Sequence, residues 1–286
     1  MPLVPMRELL IPAHKDGYAV GAFNVVNLEF LEAIIETAAA KHSPVILSIA
    51  EVHFPFVNVE TICPAIAALA NRVDIPIALH LDHGGTLPAV LRALRNAFTS
   101  VMFDGSKLSF KDNIAQTAEV VKMCAALGVS VEAELGAVGG DEGGALESEA
   151  DAALFTDPQQ AKFFVEQTGV DALAVAIGNA HGKYKGEPKL DFSRLAEIND
   201  AVGIPLVLHG GSGISAADFK KAISLGIAKI NIYTDMSQAA LNSAKSFLAE
   251  SEGQYHAFPQ LMYSVKKAVS RVVANQIDIF GSAMRA

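Results

Sequence analysis

The strongest constraint on this chain is an alternation. Short, β-branched, almost continuously apolar runs take turns with stretches of helical periodicity, about eight times over. The runs are Tyr18–Asn24, Pro44–Glu51, Pro76–Asp82, Ser100–Asp104, Val129–Leu135, Ala172–Ile177, Pro205–His209 and Ala228–Ile232. Strands apolar on both faces belong to parallel sheets covered by helices. Leu28–Lys41 and Asn113–Leu127 carry the intervening helical pattern. Gly128 and Gly226 stand where helix ends meet strand starts. Pro76 and Pro205 stand just before strand runs, where a missing N–H is tolerated. Together these predict an α/β chain folded as a (β/α)8 TIM barrel, a single domain over residues 1–286. An open, doubly wound sheet fits less well. Polar residues end nearly every run, not only those at one switch point.

Two segments depart from the alternation. Gly136–Asp157 is rich in glycine and acid and long for a strand-to-helix connection, so a mobile lid is expected there. The tail from Ser237 to Ala286 predicts extra C-terminal helices beyond the eighth unit. The net charge of -9 and the lack of a basic run argue against nucleic acid as a partner. No apolar run reaches the roughly 18 residues of a membrane span, and the N-terminus lacks a secretory pattern. A soluble, cytoplasmic protein is expected. Cys63 and Cys124 lie in apolar helical patterns and read as buried free thiols.

In a TIM barrel, chemistry sits at the C-terminal ends of the strands. The residues there are Asn24, Glu51, Asp82, His83, Asp104, Glu134, His181, His209, Asn231 and Asp235. His83, His181 and His209 are far apart in sequence, but each closes an apolar run. Three imidazoles with an open fourth position suit a catalytic metal. Asp82 directly precedes His83. It reads as a general acid/base beside the metal, or as a helix cap or supporting partner. His80, two residues deeper, is expected to pack or support. Asp104 and Glu134 could bind a second metal position, orient the histidines, or cap helices.

The third histidine opens a glycine-rich turn, His209-Gly210-Gly211-Ser212-Gly213, and Asn231-Ile232-Tyr233-Thr234 follows the eighth run. Barrel phosphate sites are often built from these two loops, with backbone N–H groups and a helix N-terminus. Lys183 and Lys185 could add positive charge nearby. Metal and phosphate sites side by side point to an enzyme acting on a phosphorylated carbonyl compound.

With these residues in hand, the chain resembles the class II, zinc-dependent aldolases that include fructose- and tagatose-bisphosphate aldolases. The resemblance runs through YAVGAFNVVN, LHLDHGG, SVEAELG, AVAIGNAHG, LVLHGGSGIS and KINIYTD, almost end to end. It implies a lyase of carbohydrate metabolism that cleaves a ketose 1-phosphate, or a 1,6-bisphosphate, to dihydroxyacetone phosphate and an aldehyde. It implies Zn2+ held by His83, His181 and His209, with a monovalent cation as a further candidate cofactor. Asp104 and Glu134 would lie near the metal. Asp82 would be the proton donor to the aldehyde oxygen, and Glu142, in the lid, would move the C3 proton of the ketone. Gly182, Gly210, Ser212, Asn231 and Thr234 would hold dihydroxyacetone phosphate, with Asn24, Gly211 and Tyr233 beside them. A homodimer or homotetramer is expected on the same ground.

The chain departs from that family at the far end of the substrate. Bisphosphate members usually carry an arginine in a Pro-Arg pair of the C-terminal region. Here the stretch reads YHAFPQLMYS, with no arginine between Arg194 and Arg271. Tyr233 stands where fructose-bisphosphate members commonly have Asp or Asn, and Ala50 replaces a common hydroxyl residue. A phosphate without a cationic clamp loses a charge-assisted contact. The expectation is therefore an unphosphorylated or differently shaped acceptor aldehyde. The alternatives are an ordinary bisphosphate aldolase and a non-catalytic aldolase-like subunit.

Overall fold

The computed structural model describes residues 3–139, 147–148, 154–184, 186–250 and 255–286. Eight parallel strands close into a barrel: β1 (Val20–Asn24), β2 (Val45–Ala50), β3 (Ile77–Gly84), β4 (Ser100–Phe103), β5 (Ser130–Leu135), β6 (Ala172–Val175), β7 (Leu206–Leu208) and β8 (Ile227–Ile232). β1 pairs with both β2 and β8, which closes the ring. Strands and predicted runs agree to within a few residues. Polar side chains begin where the two-sided apolar cover stops. Glu147–Ser148 and Lys183–Tyr184 pair in a separate two-stranded sheet.

Helices α1 (Met6–Asp16), α2 (Leu28–Ala40), α3 (Val59–Ala70), α4 (Leu87–Arg95), α5 (Phe110–Ala125), α6 (Pro158–Thr168), α7 (Phe192–Val202) and α8 (Ala216–Ser224) precede or follow the strands. Short polar caps start most of them. Asn27, Asn58, Thr86, Ser109, Asp157, Asp191 and Ser215 each accept a hydrogen bond from a first-turn N–H. The predicted C-terminal helices are α9 (Thr234–Glu250) and α10 (Phe258–Phe280). Among the described residues, no helix is long and apolar enough to cross a membrane. Cys63 and Cys124 are buried and free, and burial pushes their thiols up to about 12 and about 11.

Two apolar layers result. The larger lies between strands and outer helices, with Phe30, Ile34, Phe98, Phe164 and Phe219 buried in it. The smaller lies inside the barrel, where Ala22, Ile46, Ala78, Met102 and Val207 meet Met6, Leu9, Leu10 and Ala13 of α1. Helix α1 thus plugs the N-terminal mouth. Each buried Leu or Ile contributes about 1.5–3 kcal/mol, so the plug leaves the opposite mouth free for polar chemistry. Alternate residues of a strand share a face. His80 and Asp82 on β3, Glu132 and Glu134 on β5, and Lys229 and Asn231 on β8 therefore form two stacked polar tiers.

Candidate active site

The histidines meet at the C-terminal mouth. Ring centroids are 4.4 Å apart for His83 and His209, 4.7 Å for His83 and His181, and 5.8 Å for His181 and His209. One ligand atom from each lies within 4.8 Å of the others. Their backbones reach this point in different ways. His83 is not past its strand but inside β3, with a left-handed φ of 45°. The register with β4 shifts between Leu81 and Gly84 at this point. The bulge turns both Asp82 and His83 to the mouth, which regular alternation forbids. His181 lies six positions beyond the end of β6, after a turn at Gly178 (φ 107°). Its N–H donates to the Gly139 carbonyl at 2.7 Å. His209 directly follows β7.

Two of the rings are set by carboxylate neighbours. His83 Nδ1 lies 2.9 Å from Asp104 Oδ2, and Ser106 donates to Asp104 Oδ1 from both N (3.0 Å) and Oγ (2.6 Å). His209 Nε2 lies 2.9 Å from Glu132 Oε1, and Lys229 Nζ reaches Glu132 Oε2 at 2.8 Å. His209 Nδ1 is buried with no hydrogen-bond partner among the described residues. A buried imidazole nitrogen left open beside two others fits a metal ion, with the carboxylate behind it fixing the ring. Asp104 and Glu134 form a second grouping with His83 that could also hold one.

Burial pushes the proton affinity of His181 well down, with His83 and His209 adding to it, and that of His209 down for the same reasons. Both rings are neutral at neutral pH, the form that binds metal. Burial raises Asp104, but the bonds from His83 and Ser106 outweigh it and hold the carboxyl well below the usual range. Burial and the nearby Asp104 charge push Glu134 up to about 8. Its Oε1 accepts from the Val138 N–H at 3.1 Å.

Asp82 is fully buried. Asn24 Nδ2 donates to its Oδ2 at 3.0 Å and Asn231 Nδ2 to its Oδ1 at 2.9 Å. The two amides come from β1 and β8, so a carboxylate on β3 is aimed from across the barrel. A cleft of about 280 Å³, including its open mouth, lies beside it. His181, Gly182, Gly210, Gly211, Ser212, Asn231, Tyr233 and Thr234 line it. Gly210 has φ 63°, and a β-carbon there would collide with the Ala180 carbonyl. A β-carbon on Gly211 would come within 2.9 Å of the Asn231 carbonyl. The α9 N-terminus joins the wall, where the Asp235 N–H donates to Ser212 Oγ at 3.2 Å.

The predicted residues Gly182, Gly210, Gly211, Ser212, Asn231, Tyr233 and Thr234 thus line one cleft with His181, and Asn24 and Asp82 join it through the hydrogen bond from Asn231. Glu142, Lys185 and most of the Gly136–Asp157 segment lie outside the described residues. Glu51 serves the framework. Its carboxylate accepts from Gly85 N–H at 2.8 Å and Thr86 Oγ1 at 2.9 Å. Four residues escaped the sequence reading. Glu132 and Lys229 sit inside strands, one tier down. Tyr184 Oη accepts from Ala180 N–H and donates to the Gly210 carbonyl, both at 2.9 Å. Asn179 Nδ2 donates to the His209 carbonyl at 3.0 Å. Period-two spacing from Glu134 and Asn231 was the only signal for the first two.

A closed barrel with its polar groups gathered at the C-terminal mouth is the architecture of a TIM-barrel enzyme. The family described as fructose-bisphosphate aldolase class-II matches residues 4–285. A fructose-bisphosphate aldolase from Staphylococcus aureus (strain N315) is 42% identical over 289 residues, spanning 100% of both chains. The YdjI aldolase from Escherichia coli K12 superposes with a TM-score of 0.88 at 40% identity, over 99% of each chain. A fructose-bisphosphate aldolase from Campylobacter jejuni superposes at 0.85, over 100% of this chain and 97% of that one, but at 23% identity it shows the fold alone. The chain belongs to the class II fructose-bisphosphate aldolase family. It is an aldolase, a carbon–carbon lyase, of a class that acts on sugar phosphates and is generally metal-dependent.

Proposed function

We propose that the protein catalyses reversible aldol cleavage of a ketose 1-phosphate to dihydroxyacetone phosphate and an aldehyde, with Zn2+ held by His83, His181 and His209. The observation that carries this reading is the double position of His181. It belongs to the histidine cluster and lines the glycine-rich cleft, so one ketone phosphate can meet both.

The cleft would hold the phosphate through the Gly182 and Gly210–Ser212 backbone, the Ser212 and Thr234 hydroxyls and the N-terminus of α9. Bound at the histidines, Zn2+ would supply an electrophile for the ketone oxygen and offset the charge of the developing enediolate. Asp82 would take the proton of the C4 hydroxyl as the C3–C4 bond breaks, and return it in condensation. Asn24 and Asn231 would keep that carboxylate aimed. Glu142 is proposed to carry the C3 proton. Asp104 and Glu132 would fix the His83 and His209 rings. No Schiff base is needed. Lys229, the lysine inside β8, is bound in the Glu132 ion pair below the mouth.

The missing Pro-Arg pair favours an acceptor without a distal phosphate. The second reading is a 1,6-bisphosphate aldolase, favoured by the names of the curated relatives. Cleavage of a panel of ketose 1-phosphates and 1,6-bisphosphates by zinc-loaded protein, with and without chelator, separates them. Chelator-sensitive cleavage with kcat/KM highest on 1-phosphates is expected. Higher kcat/KM on fructose or tagatose 1,6-bisphosphate would replace the first reading by the second.

A further inference from the structure

His53 belongs to none of the motifs above. It ends the short 3-10 turn Glu51–His53 that follows β2. Its ring centroid lies 4.6 Å from that of Tyr233, which follows β8. β1 stands between β8 and β2 in the barrel, so the two rings meet across the end of β1, where Asn24 holds Asp82. His53 is 7% exposed, and its Nδ1 is buried with no hydrogen-bond partner among the described residues. Such an atom carries a desolvation cost that a polar ligand atom relieves. The Asp82 charge is felt at the imidazole, against the effect of burial.

We propose that His53, backed by Tyr233, selects the aldehyde half of the substrate by hydrogen-bonding a hydroxyl of an uncharged, hydroxylated acceptor. This rests on the aldolase reading above and deepens it. With the phosphate in the glycine-rich cleft and Asp82 at the aldehyde oxygen, the remaining acceptor carbons lie next to Asp82. Tyr233 lines the cleft and touches His53, so it spans the two halves. Burial lowers the proton affinity of the imidazole. A neutral ring suits a hydroxyl, whereas a second phosphate calls for cationic donors.

The test is condensation of dihydroxyacetone phosphate with glyceraldehyde, lactaldehyde, propanal and glyceraldehyde 3-phosphate by metal-replete wild type, His53→Ala and His53→Gln. In the wild type, kcat/KM should favour glyceraldehyde over propanal about 10- to 100-fold. In His53→Ala the ratio should collapse to within about threefold, through the KM for the hydroxylated aldehyde, and His53→Gln should restore part of it. Loss of structure alone would lower both rates and leave the ratio. An unchanged ratio in His53→Ala, or a wild-type preference for glyceraldehyde 3-phosphate over glyceraldehyde, overturns the inference. Exchange of the C3 proton of dihydroxyacetone phosphate is measured in parallel. Exchange without condensation overturns the acceptor assignment alone. Neither exchange nor condensation removes the aldolase reading and this inference with it.

Discussion

His209 Nε2 lies 2.9 Å from Glu132 Oε1, inside the barrel and out of reach of solvent. The contact leaves Nδ1 as the nitrogen open to a metal ion. Glu132 is in turn held by Lys229 and approached by His80 Nε2 at 3.6 Å. Burial would raise this carboxyl, but Lys229, His209 and His80 hold it down to about 2. A charged tier thus underlies the histidine cluster and orients it. Replacing Glu132 by Gln should weaken metal affinity about 10- to 100-fold, as loss of a supporting carboxylate does elsewhere. Metal titration of the apo-protein by calorimetry measures this. Unchanged affinity would show that the ring needs no such support.

Lys229 has no escape to water. Lys229→Met would leave Glu132 charged and short of its cation, at a cost of about 3–5 kcal/mol. Urea unfolding of the metal-free protein reads the loss as a lower midpoint at constant slope. A midpoint within error of wild type would mean that Glu132 takes a proton instead.

The same tier sets an acid limit. Burial, then Lys229, lowers His80 from 6.5 to about 3. Between these values the unfolded chain binds more protons than the fold. His80 therefore contributes fully above pH 6.5 and loses its contribution as pH falls toward 3. Glu132, lowered from 4.5 to about 2, contributes above 4.5 and loses its share below it. Glu134, raised from 4.5 to about 8, has the opposite sign and weakens the fold as pH rises through that range. The urea midpoint of apo-protein should fall as pH drops from 4.5 to 3, where His80 and Glu132 act together. His80→Gln should make that fall shallower. An equal fall in the variant would clear His80.

Asp82→Asn keeps the shape but removes the proton carrier. Cleavage should drop by about 10²- to 10⁴-fold, with dihydroxyacetone phosphate still bound. Single-turnover cleavage and ligand titration separate the two. A loss of less than tenfold would assign the proton to another group.

Gly210→Ala drives a β-carbon toward the Ala180 carbonyl at a φ of 63°. The strain should cost about 1–3 kcal/mol and close the cleft. Thermal unfolding and inorganic phosphate titration report each effect. A variant with wild-type phosphate affinity would place the phosphate elsewhere.

The barrel was legible because two-sided burial writes itself into a sequence as unbroken apolar runs. The mouth was legible because Asp82, His83, His209 and Asn231 interrupt those runs at their ends. What supports them was not. Glu132 and Lys229 look like stray charges in β5 and β8 until the barrel closes and brings them to 2.8 Å. His53 lies in a short turn without periodicity, and its meaning depends on Tyr233 from the other end of the chain.

The sequence by itself determined the order of strands and helices, the residues at the mouth and the glycine-rich turns. Those depend on local periodicity and on residues that few backbone conformations accept. Only the tertiary structure decided which nitrogen of His83 and of His209 is held, how a bulge at His83 brings Asp82 to the same mouth, and which side chains share the buried tier. These are contacts between strands far apart in the chain, fixed by how the barrel closes and staggers, and no local pattern encodes them.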